Sequence, residues 1–232
     1  MKNIILITGT SKGIGKELAQ YYLSKDYYVI GCSRGKLELE NKNYTHYSLD
    51  VSNENDVKQL FKEIRNKFGK VDILINNAGI AAMNHSLLTP LKTINLLLNT
   101  NFIGTFLFCR EAAKLMKSKK FGRIINFTTV AVPLKLEGEA VYAASKSAIN
   151  TLTQILAFEF AEFGITVNAI GPTPIKTDLI KNVPEEKIKK ILNRQAIKRF
   201  GEFIDIINLI DFFIKPESNF ITGQIIYLGG IS

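Results

Sequence analysis

The sequence is poor in the residues that build disulfide frameworks and metal sites. Among its 232 residues it has two cysteines, Cys32 and Cys109, and two histidines, His46 and His85. Two cysteines cannot form the multiple crosslinks of a small secreted domain, so a reducing, cytoplasmic setting is expected. These four side chains also lack the close spacing of metal ligands, and no metal site is predicted.

Long apolar runs are missing as well. There is no stretch of 18 uncharged apolar residues, which a membrane-spanning helix requires, so no membrane contact is expected. The apolar run near the N-terminus, at positions 4–7, is too short for the core of a signal peptide. The region with fewest charges, 87–108, carries Thr, Asn and Pro, and it predicts a helix buried within the protein.

Proline and glycine are not abundant enough for a collagen-like or low-complexity chain, at 6 and 16 residues. Apolar residues make up 46% of the sequence and charged residues 22%, which is enough apolar matter for a sizeable core. Since a domain usually has about 150 residues, a single domain over 1–232 is the first expectation.

The net charge is +9, which suits nucleic acid, an anionic cofactor or an acidic partner. The basic residues are spread along the chain, however, and no basic helix or aromatic ladder accompanies them. Nucleic-acid binding is therefore disfavoured. One modest cluster consists of Lys117, Lys119, Lys120 and Arg123.

Short apolar runs alternate with segments of helical periodicity. Predicted strands cover 3–8, 27–32, 44–49, 71–75, 122–128, 165–170 and 224–228, and predicted helices cover 14–24, 55–68, 91–116, 139–163, 184–194 and 202–214. Seven strands separated mostly by helices indicate an α/β fold with a parallel sheet and helices on both faces. The segment 34–44 is short for a crossover helix, which should be reduced there.

A glycine-rich loop follows the first predicted strand and precedes the first helix. Glycines let the backbone turn sharply and approach a pyrophosphate, and the helix N-terminus offers free N–H groups. An ordinary strand-to-helix turn is the alternative, but the strand-loop-helix context favours binding. The predicted contacts are Gly9, Thr10, Ser11, Lys12, Gly13, Ile14 and Gly15.

The end of the second strand bears on cofactor choice. A carboxylate there would bind a ribose 2′-hydroxyl, whereas a cation suits a 2′-phosphate. The sequence has Ser33 and Arg34 with no carboxylate, and Lys12 adds a second cation, so NADP(H) is favoured over NAD(H). Alternatively, both cations are solvated surface charges. Asp50, after the third strand, could accept from an adenine amino group, or serve as a turn residue before a helix, or both.

Tyr142 and Lys146 lie four residues apart in a predicted helix and share one face. A free tyrosine has a pKa of about 10 and is a poor acid-base catalyst at neutral pH. A nearby ammonium favours tyrosinate and should lower that pKa, so the pair could exchange a proton with a substrate oxygen. Alone, such a pair is more often an ordinary surface pair.

Taken in order, the motifs resemble the classical short-chain dehydrogenase/reductase family over essentially the whole length, and within it the reductases of 3-oxoacyl chains on acyl carrier protein. The landmarks are the glycine loop at 8–15, Asp50-Val51, Asn76-Asn77-Ala78-Gly79, Asn101, Gly122-Arg-Ile-Ile-Asn126, Tyr142-x-x-x-Lys146, Val167-Asn168, Thr177 and Thr222-Gly223-Gln224.

The resemblance implies a Rossmann-type domain, with a doubly wound, seven-stranded parallel sheet, that carries a catalytic tetrad. Tyr142 would be the acid-base, Lys146 would hold the nicotinamide ribose, and Asn101 would anchor a water that links the lysine to solvent. The family has a serine thirteen residues before the tyrosine, and here that position is Thr129. Threonine keeps the hydroxyl that would bond the substrate oxygen, so activity should be retained. Its extra methyl group makes the side chain stiffer and narrows the pocket. Its neighbour Thr128 is interpreted as structural.

The resemblance adds cofactor contacts beyond the glycine loop. These are Ser33, Arg34, Asp50, Val51, Asn77, Ala78, Gly79, Pro172, Ile175 and Thr177, together with Tyr142 and Lys146. Two further positions depart from the family pattern. Thr173 stands where a glycine usually follows the proline, and Leu228 precedes Gly229-Gly230 where an acidic residue is common.

The implied activity is NADPH-dependent reduction of a carbonyl to an alcohol, with a substrate loop and helix at about 173–200. The expected substrate is a small carbonyl or alcohol compound. The alternatives are a carrier-linked 3-oxoacyl thioester, a sugar and another small ketone. Only half of a carrier-docking pair is present, because Lys120 is basic but the matching Phe163 is not. A solvated helix end is the alternative for the basic cluster.

Two expectations remain. A protein that binds the cofactor without turnover is the alternative to an enzyme, and the departure at Thr129 is its weak support. The resemblance also implies a homodimer or homotetramer built on the predicted helices 91–116 and 139–163.

Overall fold

The centre of the molecule is a seven-stranded parallel sheet with the order β3-β2-β1-β4-β5-β6-β7. The computed structural model describes residues 2–35, 39–181 and 183–231. The strands are β1 (Ile4–Thr8), β2 (Tyr28–Ser33), β3 (Tyr44–Ser48), β4 (Ile73–Asn76), β5 (Gly122–Phe127), β6 (Ile165–Gly171) and β7 (Ile225–Tyr227). The predicted fold is confirmed, and each predicted strand is present.

The sheet is covered on both faces, as a parallel sheet with apolar strands requires. Every residue of β1 is buried, and its side chains alternate between two cores. Ile4 and Leu6 pack against helices on one face, whereas Ile5 and Ile7 pack against helices on the other. Burial on both sides explains why the strand reads as an uninterrupted apolar run.

Eight α-helices connect the strands in the described part of the chain. They are α1 (Gly13–Ser24), α2 (Glu54–Phe68), α3 (Leu91–Leu98), α4 (Gly104–Met116), α5 (Ala131–Leu134), α6 (Ala140–Ala161), α7 (Glu185–Asn193) and α8 (Phe203–Ile214). Residues of α2, α4 and α6 form one core with the sheet, and residues of α1 and α8 form the other. Short 3₁₀ turns occupy Ser86–Leu88, Lys117–Lys119, Asp178–Ile180 and Pro216–Phe220.

The predicted helix over 91–116 is interrupted by one wide turn. Asn99–Ile103 adopts π-helical geometry between α3 and α4. The expectation that 87–108 is buried is wrong, because Leu87 is 88% exposed and Leu91 is 69% exposed. Sparse charge indicated burial, but these leucines lie on an outer face that no part of the described chain covers.

Arg123 does not belong to the basic surface cluster predicted from the sequence. Its side chain is buried in β5, donates to the carbonyl of Gly122 at 2.9 Å and lies over the ring of Phe121. Burial lowers the pKa of this guanidinium. The exposed cluster therefore consists of the three lysines 117, 119 and 120.

The structure describes only part of the segment that follows β2. Residues 36–38, within the segment expected to carry a reduced crossover helix, lie outside the described residues, and 34–35 and 39–43 form no helix. Elsewhere, no helix of the described residues is long and apolar enough to cross a membrane.

The strand order places a crevice above the sheet. The chain runs outward from β1 through β2 to β3, and then returns to β4 on the other side of β1. Loops leaving the carboxyl ends of β1 and β4 therefore diverge. In sheets of this kind, ligands bind in the crevice at that reversal point.

Candidate active site

A cavity of about 660 Å³ opens at the carboxyl ends of the strands, and most predicted site residues line it. This volume is in the range of small-molecule and cofactor sites. The predicted residues that line it are Gly9, Ser11, Lys12, Gly13, Ile14, Ser33, Arg34, Asp50, Val51, Asn77, Ala78, Gly79, Thr129, Tyr142, Lys146, Pro172, Ile175 and Thr177. Three predicted residues, Thr10, Gly15 and Asn101, do not line it and support it from behind.

The glycine loop has a geometry that side chains would disrupt. Gly9 and Gly13 have φ values of +76° and +58°, in the left-handed region that favours glycine. A β-carbon on Gly15 would lie 2.2 Å from the carbonyl oxygen of Gly9, so α1 packs closely beneath the loop. The first N–H groups of α1 have no partners within the helix, and Ser11–Ile14 line the cavity where the helix begins. Helix N-termini of this geometry are suited to bind phosphates.

The end of β4 fixes this loop from below. The Asn77 amide donates to the carbonyls of Thr8 at 2.9 Å and Gly9 at 3.3 Å. The Ala78 N–H donates to the Thr8 hydroxyl at 2.9 Å. These bonds join the two strands at which the chain reverses direction, so the loop is held before any ligand binds.

Two cations and a hydroxyl mark one end of the cavity. Arg34 follows β2, Ser33 ends it, and Lys12 lies in the glycine loop; all three line the cavity. The Ser33 hydroxyl donates to the carbonyl of Gly35 at 2.6 Å. The two cations give this end of the cavity the positive charge that a phosphate group requires, whereas the single hydrogen of the Ser33 hydroxyl is used within the turn.

Asp50 lies on the same side and is also a turn residue. One oxygen accepts from the N–H and the hydroxyl of Ser52, at 2.9 and 2.7 Å. Asn53 then caps α2 by accepting from the N–H groups of Asn55 and Asp56. Since Asp50 also borders the cavity, both interpretations offered by the sequence are compatible with its position.

Lys146 is buried beside the cavity. Its ammonium donates to the carbonyl of Phe127 at 2.8 Å, and a β-carbon on Gly79 would lie 3.2 Å from it. Burial lowers the pKa of Lys146 to about 8, so the group is still mostly charged at pH 7. The Thr128 hydroxyl donates to the backbone carbonyl of Lys146, as expected of a structural residue.

Tyr142 lies one helical turn before this lysine and faces the cavity. Burial raises the pKa of its phenol to about 12, and an interaction with the Thr129 hydroxyl opposes the rise. The expected lowering of this pKa by the ammonium is not present in the structure, where Lys146 is directed to a backbone carbonyl. The protonated phenol is thus the stable form here, and a proton donor is in place.

Asn101 lies in the π-helical turn and is fully buried. Its amide exchanges two hydrogen bonds with the backbone of Ile80, at 2.9 and 3.0 Å, and donates to the Ser145 hydroxyl at 3.0 Å. That hydroxyl donates to the Tyr142 carbonyl. The wide turn therefore connects the loop after β4 to the helix that carries the tyrosine and lysine, and such turns are frequent at functional sites.

Thr173 also lines the cavity, and the structure explains how the fold accepts it. A β-carbon on Gly201 would lie 2.7 Å from its hydroxyl, and one on Gly229 would lie 2.8 Å from its methyl group. The threonine side chain thus fills space that two glycines leave open.

Sequence reasoning missed a carboxyl group in the cavity. Glu139 precedes α6, one turn before Tyr142, and lines the cavity. Burial raises the pKa of this carboxyl, and Lys187 of α7 opposes the rise. Its position three residues before the tyrosine was a usable signal, since residues at that spacing share a helix face. The adjacent wall is apolar and consists of Val130, Leu136, Ile180, Val183, Ile188 and Ile191.

Comparison with known proteins agrees with this site. A family model described as short chain dehydrogenase matches residues 3–188. A Staphylococcus epidermidis protein named 3-oxoacyl-[acyl-carrier-protein] reductase FabG is 32% identical, over 99% of this chain and 98% of its own. The solved structure titled ElxO with NADP Bound superposes with a TM-score of 0.90 at 32% identity, covering 98% of this chain and 97% of that one. The structure titled 4-hydroxyisoleucine dehydrogenase complexed with NADH gives 0.87 at 29% identity, with coverages of 99% and 98%.

The chain belongs to the short-chain dehydrogenase/reductase family. It is an oxidoreductase of the nicotinamide-dependent kind, and the resemblance inferred from the sequence motifs is confirmed.

The residues present fit such a cofactor. The N–H groups of Gly9 and Thr10 donate to the Cys32 carbonyl, so a pyrophosphate would be bound by the N–H groups at the start of α1. Glycines at 9 and 79 keep the floor of the cavity free of side chains. Asp50 and Val51 border one end, and Pro172, Ile175 and Thr177 border the other. A cavity that extends between these ends is consistent with an elongated dinucleotide.

Proposed function

We propose that this protein uses NADPH to reduce a carbonyl compound to an alcohol. The observation that carries the proposal is the placement of the Tyr142 phenol, the Thr129 hydroxyl and the Lys146 ammonium beside a cavity that begins at a phosphate-binding loop. The full-length relatives named as a reductase and as a dehydrogenase support the same reaction class.

Binding of the dinucleotide would rest on three groups of residues. The loop at 9–15 would hold the pyrophosphate, Asp50 and Val51 would border the adenine, and Ile175 and Thr177 would meet the nicotinamide carboxamide. Lys146 would hydrogen-bond the nicotinamide ribose. When bound, the reduced nicotinamide supplies a hydride to the carbonyl carbon.

The proton comes from this chain's own side chains. The Tyr142 O–H would donate a hydrogen bond to the substrate carbonyl oxygen and then transfer its proton as negative charge develops there. Thr129 would donate a second hydrogen bond to the same oxygen. The Lys146 ammonium donates to the Phe127 carbonyl in this structure, so it would have to turn toward the phenol to stabilise the tyrosinate that remains. A water held near Asn101 would return the proton from solvent.

Preference for the phosphorylated dinucleotide is part of the proposal. Arg34 and Lys12 offer positive charge, and no carboxylate ends β2 to repel a 2′-phosphate. The relative solved with NADP supports this preference, although the relative solved with NADH shows that the fold accepts either dinucleotide.

The substrate side of the cavity favours an acyl chain. Its wall is largely aliphatic, being formed by α5, α7 and the loop before α7, and a 3-oxoacyl thioester would bury its chain there. The relative named as an acyl-carrier-protein reductase supports this substrate class. A second candidate is a hydroxylated ketone such as a sugar, because the Glu139 carboxyl could accept from a substrate hydroxyl.

Carrier docking and assembly complete the proposal. Lys120 is exposed and available to an acidic carrier, whereas Phe163 is partly buried against the core. Exposed apolar side chains on the helices around α4 and α6 support a dimer through those helices; they are Leu96, Leu98, Ile103, Phe106, Ile155 and Phe158. Both cysteines are free and buried, in keeping with a cytoplasmic location.

The experiment measures oxidation of NADPH and NADH with 3-oxoacyl thioesters, sugars and simple ketones. We expect turnover with the thioesters and a higher kcat/KM with NADPH than with NADH. Tight binding of the cofactor without turnover across all three substrate classes would instead identify a non-catalytic binding protein.

A further inference from the structure

The edge strand β3 presents three polar side chains beneath the turn that follows β2. Tyr44, His46 and Ser48 alternate along the strand, so they project from the same side. The Ser48 hydroxyl donates to the carbonyl of Arg34 at 3.3 Å. The backbone of the turn at 33–35 is thus supported by side chains from a strand that does not itself border the cavity.

His46 makes the most contacts of the three. Its Nε2 lies 3.0 Å from the carbonyl oxygen of Gly35 and 3.2 Å from the Ser33 hydroxyl. Its Nδ1 lies 2.8 Å from the Tyr44 hydroxyl. Because a carbonyl oxygen only accepts, Nε2 must carry the hydrogen, and Nδ1 then accepts from Tyr44. The ring is therefore neutral with a defined tautomer, and burial lowers its pKa.

The tyrosine that orients this ring is itself fixed. A β-carbon on Gly31 would lie 2.3 Å from the Tyr44 hydroxyl, so glycine in β2 leaves room for it. The Thr10 Oγ1 lies 3.4 Å from the same hydroxyl, whose one hydrogen is already donated to His46, and Thr10 is fully buried in the glycine loop. His46 thereby connects the phosphate-binding loop, through Tyr44, to the turn at 33–35.

The turn lies where a 2′-phosphate would bind. Ser33, Arg34 and Gly35 border the cavity, together with Ser11 and Lys12 from the glycine loop. A β-carbon on Gly35 would come within 3.6 Å of Ser11, so the turn and the loop are nearly in contact. A displacement of the turn would move Arg34, whose guanidinium would meet this phosphate.

We infer that His46 is a positioning residue for the 2′-phosphate of the cofactor. Its Nε2–H holds the Gly35 carbonyl and the Ser33 hydroxyl, and so it sets the preference for phosphorylated over plain adenine nucleotides. This inference rests on the proposed use of NADP(H). It does not make His46 a contact of the cofactor, since the ring lies beneath the turn.

The test uses two small probes and the intact protein. Dissociation constants for 2′,5′-ADP and for 5′-AMP are measured by calorimetry for the wild type, His46→Leu and His46→Gln. The leucine removes the Nε2–H donor, whereas a glutamine amide nitrogen can reach the same place. His85→Gln, at the exposed second histidine, is the matched control.

The ratio of the two constants is the decisive quantity. We expect His46→Leu to weaken 2′,5′-ADP by about five- to tenfold, as the loss of one positioning hydrogen bond allows, with 5′-AMP within about twofold of wild type. His46→Gln should restore most of the loss, and His85→Gln should change nothing. Nitrogen-15 spectra of the wild type should show His46 protonated at Nε2.

Several results would overturn the inference. An unchanged ratio in His46→Leu, or equal weakening of both probes, assigns the histidine a purely structural role. If His46→Leu does not fold, Tyr44→Phe replaces it, and an unchanged ratio there has the same meaning. Wild-type protein that does not discriminate between the probes would refute the proposed NADP preference itself, and the inference with it.

Discussion

Tyr142 has a buried carboxyl group one turn before it and a buried ammonium one turn after it. The Glu139 carboxylate raises the pKa of the phenol, adding to the larger effect of burial. In the reductive direction the phenol must be protonated to act as an acid. The rate therefore falls as the pH rises through the phenol's pKa.

Glu139→Gln removes the negative charge and so should lower the pKa of Tyr142. The alkaline limb of the pH profile of kcat for carbonyl reduction should move to lower pH. Glu137→Gln, an exposed carboxylate two residues earlier, is the control and should leave the profile unchanged. A limb that stays in place or moves upward in Glu139→Gln would contradict the electrostatic assignment.

The sequence predicted the cavity-lining residues that belong to a recognisable motif and missed cavity-lining residues outside any motif. The glycine loop and the tyrosine-lysine pair were identified because their spacing has a direct physical meaning. Glu139 has no such motif, and Thr10 and Gly15 were placed in the lining although they support it from behind. Whether a side chain faces the cavity depends on packing from distant elements, as Thr173 shows by filling the space at Gly201 and Gly229.

At the scale of elements, helix ends were predictable where a side chain or glycine determines them. Asn53 caps α2, and Gly69 ends it with a φ value of +69°. The π-helical turn at Asn99–Ile103 was not predictable, because it depends on bonds between Asn101 and the backbone of Ile80, a distant loop. The burial of Arg123 likewise depends on a distant element. Its guanidinium donates to the carbonyls of Lys215 and Pro216, which follow the end of α8.

Asn53→Ala tests the capping of α2. It removes the acceptor for two N–H groups at the start of the helix, and the expected loss in the free energy of unfolding is about 1 kcal/mol. Urea denaturation measures it. Asn55→Ala, an exposed position in the first turn, should change stability by less than about 0.5 kcal/mol. Equal losses in the two variants would show that the cap is not the stabilising feature.

At the scale of the whole molecule, exposed apolar side chains on α4 and α6 define the face that the proposed dimer would bury. Phe158 is 87% exposed and Ile155 is 50% exposed, which is unusual for adjacent turns of one helix in a monomer. The sequence suggested burial of 87–108 from its low charge, but low charge alone could not show that Leu96, Ile103 and Phe106 of that segment are exposed in the single chain.

Phe158→Glu should separate the proposed dimer, because a carboxylate would have to be buried at the shared face. Light scattering coupled to size-exclusion chromatography should then report the mass of a single chain. Lys62→Glu, on the exposed side of α2, should leave the mass unchanged. A wild-type protein that already runs as a single chain would refute this assembly.

The most direct test of the central claim is the rate of NADPH oxidation by Tyr142→Phe with a carbonyl substrate that the wild type reduces, measured beside the dissociation constant for NADPH. The account predicts that kcat falls by at least about 100-fold, since the proton donor to the carbonyl oxygen is lost, while NADPH binding stays within about twofold. A variant that retains the wild-type rate would contradict the assignment of Tyr142 as the acid, and with it the proposed reaction.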